Sequence, residues 1–161
     1  MNLRSLMKQS LTHEITLTRS VIQEIPDAQL DHVASEGMRS LKWNISHLAD
    51  IPSWVNMILN ESSFDVAPVD GPPHSTHEVA SVAEALKILD DNLASALEAI
   101  DQSDPETYEA DWSLKAGGQI LLTHPRFMIY QMYVANHIAH HRAHVLVYAR
   151  LLGITMPSIY G

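Results

Sequence analysis

The chain contains no cysteine. No disulfide framework can staple it, and it has neither a thiolate metal ligand nor a cysteine nucleophile, so any thiol chemistry must come from a substrate. Basic residues are scarce as well: ten Lys and Arg face nineteen Asp and Glu, a formal net charge of −9, with no basic cluster along the 161 residues. Such a charge attracts neither a phosphate backbone nor an anionic bilayer, which excludes nucleic acid and membrane as expected partners. No apolar run approaches the ~20 residues of a membrane-spanning helix. The opening stretch MNLRSLMKQSL is too polar for a secretory signal, so the expected compartment is the cytoplasm. Gly-rich phosphate loops, a G-x-S-x-G elbow and an H-E-x-x-H motif are also missing.

What is present is an ordinarily globular composition, 46% apolar and 18% charged, in a chain of a length that suits one domain over residues 1–161. Apolar positions from Leu3 to Ile25 follow helical spacing, and Pro26 supplies a stop. Ser40 offers an N-cap to a second helix reaching about Asn60, which Pro52 kinks or splits, freeing the carbonyl of Leu48 beside His47. Residues 61–78 hold Gly71 and three prolines and read as a long crossover. A third helix is expected from Val79 to about Ile100, then a short extended piece from Thr107 to Leu114 ending at Gly117 and Gly118. Thr123 is a plausible N-cap for a last helix running to Leu152, closed by Gly153. The expected fold class is all-α, a four-helix bundle with a long crossover between helices two and three.

The chain is rich in histidine, with ten in all and four of them, His137, His140, His141 and His144, within eight residues of the last helix. At ~100° per residue, positions 137, 141 and 144 fall within about 60° of one another, with 140 beside them. Imidazoles at i and i+4 project from one face and can share a divalent ion, but spacing alone leaves His137 with His141 and His140 with His144 as rival pairs. Bundles build metal sites from several helices, so a third ligand is to be sought on another one. His47, on a Trp-rich apolar segment, is the best candidate, although a lone histidine in that setting is more often a core imidazole satisfied by a hydrogen bond.

Two blocks of sequence, read jointly, narrow the choice. Residues 39–50, RSLKWNISHLAD, resemble the helix-two motif of the DinB-like (damage-inducible, DinB/YfiT-type) family, a basic or Ser-rich lead-in followed by a His-Leu/Ile-Ala core. Residues 136–144, NHIAHHRAH, with the tail through Leu151, Leu152, Gly153, Ile154, Pro157, Ile159, Tyr160 and Gly161, resemble that family's NHxxHHRGQ motif and closing segment. The resemblance implies a four-helix bundle in which His47, His137 and His141 are the metal ligands and His140 turns aside. This chain departs from the pattern at Ala143, where Gly is usual, and at His144, where Gln is usual. His144 is thus either a pocket-lining residue or a fourth nitrogen ligand, and if it ligates, the open position that catalysis needs closes.

Few acid-base groups accompany these histidines. Asp50, three residues after His47, is a candidate to orient an imidazole or act as a base, against the commoner solvated surface Asp. Tyr133, four before His137, is a candidate hydrogen-bond donor to a bound ligand, against a core aromatic. Arg142 points away from the ligand direction and is expected to form an ion pair or anchor the tail. Trp43, Trp54 and Trp112 are assigned to the core. His74 and His77, near Asp70 in the proline-rich loop, read as surface residues, His124-Pro125 as a helix-start element, and His13 and His32 as isolated.

Three neutral imidazoles suit Zn²⁺ or Ni²⁺ and leave at least one exchangeable position. An ion so held can activate water for hydrolysis or bind an external thiol as thiolate for transfer. The resemblance implies both possibilities, because the family includes transferases that use low-molecular-weight thiols and others assigned only as metal-dependent hydrolases. It also includes homodimers, so a dimer is a fair expectation. The rival class is a metal-binding stress-response bundle without catalysis, which the sparse acid-base equipment favours. The thiol reading stands because thiolate attack needs the metal more than it needs a general base.

Overall fold

The computed structural model describes residues 2–160. Four helical limbs carry the fold: α1 (Leu3–Ile22), α2 with α3 (Leu41–Asp50 and Trp54–Asn60), α4 (Val82–Gln102), and α5 with α6 (Arg126–Tyr130 and Asn136–Leu151). Helices α1 and α2 each pack against both α4 and α6, enclosing one core that includes Leu11, Ile15, Ile45, Leu48, Leu89 and Val145, all fully buried. Polar caps set the starts: Ser40 Oγ accepts from the Trp43 N–H at 3.0 Å, and Ser81 Oγ from that of Glu84 at 3.1 Å. Among the described residues no helix is long and apolar enough to cross a membrane.

The fold is mostly helical but not all-α, which corrects the expected class. Strands β1 (Ser63–Asp65), β2 (Asp111–Ala116) and β3 (Gln119–Pro125) form one sheet, in which β1 runs parallel to β2 and β2 antiparallel to β3. The hairpin exists because Gly117 and Gly118 adopt φ of 59° and 77°, the left-handed pair that a tight two-residue turn requires. The Asp65 carboxylate accepts from both glycine N–H groups, at 3.1 and 2.7 Å, and those backbone bonds hold it below the usual carboxylate range. Extended structure therefore covers residues 111–125 instead of 107–114. Thr123, expected as an N-cap, is a strand residue whose hydroxyl meets that of Ser113 at 2.7 Å, and the helix starts only at Arg126.

Other boundaries shift for local reasons. Helix α1 ends at Ile22, three residues short of the expected stop, and a tight turn carries the buried Ile25 to Pro26. Helix α4 starts at Val82 because Ser81, not a residue near Val79, supplies the cap, and the Glu84 carboxylate reaches back to the Ala80 N–H. Pro52 does split the second helix, through a 3-10 turn at Ile51–Ser53, and Asn92 Nδ2 on α4 donates to the Ala49 carbonyl beside the break at 2.9 Å. The last limb is interrupted as well: Gln131–Ala135 forms a π-helical turn between α5 and α6.

The crossover is not a free loop. Val66 N–H bonds the Lys115 carbonyl, His74 N–H bonds the Val66 carbonyl, and Val79 N–H bonds Ser46 Oγ on α2 at 3.0 Å. Sheet and helix thus hold the segment from both sides.

Candidate metal centre

Helix α6 presents His137 and His141 one turn apart, and α2, packed against α6, presents His47 to them. The Nε2 atoms converge, 3.4 Å apart between His47 and His137 and 2.8 Å between His137 and His141, and the three donor atoms all lie within 4.8 Å of one another. Tetrahedral coordination at Zn–N of about 2.0–2.1 Å separates ligand nitrogens by about 3.3 Å. The two spacings to His137 lie within about half an ångström of that requirement, and the all-nitrogen donor set suits a borderline divalent ion.

The proton positions follow from what stands behind each ring. Asn44 Nδ2 donates to the Ser40 carbonyl at 2.9 Å, which turns its Oδ1 toward His141 Nδ1 at 3.2 Å. An amide oxygen only accepts, so Nδ1 of His141 carries the proton and Nε2 keeps its lone pair. The Thr76 hydroxyl meets His47 Nδ1 at 2.9 Å and can accept from it in the same sense. The Tyr133 carbonyl, one turn earlier on the same limb, engages the His137 ring. Replacing Asn44 with Ala should weaken metal affinity about 10- to 100-fold with the bundle intact, the cost usual for such supporting groups. Competition with a chromogenic chelator measures it.

Burial keeps the rings neutral. His47 and His141 are each 8% exposed. Desolvation first, and then neighbouring imidazoles, push His47 down from 6.5 to about 4 and His141 to about 3, and burial also lowers His137. An unfolded chain takes up these protons near pH 6.5, whereas the folded one resists until pH 4 or below. Stability from this source is complete above pH 6.5 and is lost as pH falls from 6.5 toward 4 and 3. Urea midpoints of metal-free protein should decline across that window, and less steeply in His141→Asn.

Two indoles wall the cluster. Trp43 stacks on His47 with centroids 4.6 Å apart, and Trp54 sets its edge against His47 at 5.4 Å and His137 at 5.5 Å. Both are half-buried and face the imidazoles; of the three tryptophans, only Trp112 is buried in the core. Beside them lies a cavity of about 350 Å³ between α3, the sheet and the last limb, with His137 in its wall. Tyr133 also lines it.

His74, read from sequence as a surface residue, belongs to this wall too. Its ring sits edge-on to Phe64 at 5.6 Å and Trp54 at 6.1 Å, with Nε2 3.7 Å from Asp50 Oδ2. Asp50 is spent locally, accepting from Trp54 Nε1 and Ser53 Oγ at 3.3 Å each, and the group behind His47 is Thr76. Nothing in the sequence marks Thr76; its neighbour His74 offered the only hint that the crossover bears on the site. His77 pairs with Glu84 at the surface.

His144 lies outside the group of His47, His137 and His141 but belongs to a second one, His140, His141 and His144, whose ring nitrogens also lie within 4.8 Å of one another. It lines a second cavity of about 310 Å³ with Arg39, Trp43, Asn44 and His141, and its ring packs on exposed His140 with centroids 4.4 Å apart. Arg142 is turned to the other side, where it both forms an ion pair with Glu14 and holds Tyr160 of the tail.

The model of the DinB family matches residues 1–161. A search of the curated proteins finds no match. Among solved structures, a DinB-like protein from Bacillus cereus ATCC 10987 superposes with a TM-score of 0.70 at 18% identity, covering 96% of this chain and 95% of that one. A protein from Exiguobacterium sibiricum 255-15, described as a member of the DinB family, gives 0.67 at 17% identity over 98% and 97% of the two chains. At such identities the likeness is one of fold.

Proposed function

The chain belongs to the DinB family, and we propose that it is a metal-dependent enzyme in which His47, His137 and His141 hold a divalent ion, Zn²⁺ or Ni²⁺, that presents an external thiol to a second substrate. When bound, the ion would lower the pKa of a coordinated thiol or water and so supply the nucleophile. The observation that carries the reading is that His137 serves two structures at once, the cluster of ring nitrogens and the wall of the 350 Å³ cavity. A purely structural ion needs no such vestibule.

The protein's own groups do the rest. Asn44 and Thr76 hold His141 and His47 with their Nε2 atoms turned inward, so the rings need no reorganisation to ligate. Trp43 and Trp54 pack against the imidazoles, and Tyr133 and His74 line the same cavity wall as His137. One observation favours hydrolysis as the second reading: His74, beside the Asp50 carboxylate, is the kind of group that moves a proton. All three ligands come from one chain, so a homodimer is not required to complete the site.

Metal-loaded protein assayed with a panel of small thiols and electrophiles should consume free thiol in a metal-dependent reaction that His137→Ala abolishes. Ester or amide cleavage without thiol consumption would instead support hydrolysis. Full metal occupancy with neither reaction would support the non-catalytic bundle.

A further inference from the structure

The cavity beside His137 has a chemistry of its own. Its walls are aromatic and aliphatic, with Trp54, Phe64, Trp112, Met57 and Leu114 among them, and no Lys, Arg, Asp or Glu occurs among the described residues that line it. Its polar side chains are His137, His74, Tyr133 and Ser53, with the indole N–H groups of Trp54 and Trp112. Away from the His137 end, a carboxylate or ammonium entering this space would give up its hydration with no Lys, Arg, Asp or Glu among the lining residues to pair with, which costs several kcal/mol or more. The net charge of −9 opposes the approach of anions as well. Aromatic walls at about 350 Å³, near the lower end of ligand pockets, suit a body of one or two rings.

We propose that this cavity selects a compact, uncharged, ring-bearing substrate whose single polar or reacting group lies at the His137 end, and that it rejects charged analogues. The inference rests on the metal-dependent reading and names the substrate class for that site. The recognition is by burial of the ring against the sheet and α3, and the sheet is therefore a specificity element of the site. Strand β2 contributes Trp112 and Leu114, β1 contributes Phe64, and the chain just beyond it contributes Val66.

Hydroxamates, which ligate zinc through their oxygens, test this by calorimetry on zinc-loaded protein. Benzohydroxamate should bind at least about tenfold more tightly than acetohydroxamate because its ring is buried, and 4-carboxybenzohydroxamate should lose that advantage. Leu114→Trp, which fills the cavity, should abolish the preference while leaving zinc content unchanged. Equal affinity for the two uncharged ligands, or tighter binding of the carboxylate, would overturn the proposal without needing any variant. Indole, added to metal-free protein, separates the two levels of inference: it should raise the melting temperature in wild type and not in Leu114→Trp. A protein that binds indole in this way but takes up no zinc would refute the metal reading and leave the cavity's selectivity standing, whereas the absence of any indole effect would count against the cavity.

Discussion

Glu14→Gln should lower the melting temperature by roughly 6–20 °C, although Glu14 is remote from the candidate metal centre. Arg142 is among the largest fully buried side chains, 2% exposed, and its charge is balanced by Glu14, with Nη2 and Oε2 2.7 Å apart. Nη1 donates to the Glu14 carbonyl at 3.0 Å and to Thr18 Oγ1 at 3.2 Å, and Nη2 donates to the Tyr160 hydroxyl at 3.0 Å. That hydroxyl in turn donates to the Glu14 carboxylate. Removing the carboxylate's charge leaves a guanidinium in the core without a counter-ion, a change that costs about 3–5 kcal/mol when one partner of a buried pair is lost. At about 2–4 °C per kcal/mol for a chain of this size, the shift follows. Replacing both partners, Glu14→Leu with Arg142→Met, should recover most of the loss, since apolar groups of similar volume carry no desolvation cost. A Glu14→Gln melt within 2–3 °C of wild type would mean that the pair is solvated in solution.

His47→Ala should reduce the metal content of tag-free protein from near one equivalent to near zero after exchange into metal-free buffer. Four-ligand zinc sites bind with about 10–16 kcal/mol, so one imidazole is worth on the order of 3 kcal/mol, about 10²-fold in affinity. The two ligands that remain lie on one helix, without the cross-helix partner that encloses the ion. His144→Gln should retain metal, because His144 belongs with His140 and His141 to the second group and not to the one that His47 completes; loss of metal in this variant would move the ion to that second group. Undiminished metal in His47→Ala would sink the three-histidine site. Chelation should leave the bundle folded: the buried apolar residues of α1, α2, α4 and α6 pack together without the ion's help. Elemental analysis and circular dichroism on the same samples read both expectations.

The helices were legible because each carries its apolar residues at helical spacing and its own cap, and these are local properties. The histidines were legible in part. Periodicity brought His137 and His141 to one face but left His140 and His144 as rivals, and the choice of His47 rested on motif resemblance. What escaped was held by distant partners. Strand β1 is three residues long in a proline-rich stretch, too short to alternate visibly, and it exists only because β2 offers a ladder fifty residues later. His74 and Thr76 looked unconstrained for the same reason. Their positions come from Val66, Ser46 and α2, none of which sequence proximity discloses. Asp50, a candidate to orient His47 against the commoner solvated surface Asp, has partners that spacing did not disclose: the break at Pro52 brings Trp54 and Ser53 back onto its oxygens.

The π-helical turn at Gln131–Ala135 bears on how this chain tolerates changes in length. Residues four apart on an α-helix drift by about 40° around its axis, so Ile129, Tyr133 and His137 would spread over about 80° on a regular helix. A turn closed by i→i+5 bonds carries one more residue and removes much of that drift, which keeps all three on the cavity wall and brings His141 to the nitrogen cluster one step later. Deleting a single residue there would leave seven regular helical steps from Ile129 to His137, about 20° short of two full turns, and so keep His137 and His141 in nearly the same phase relative to Ile129. The segment accepts new side chains at Met132, which faces solvent, and one residue fewer, but an added residue would turn both histidines by about 100°.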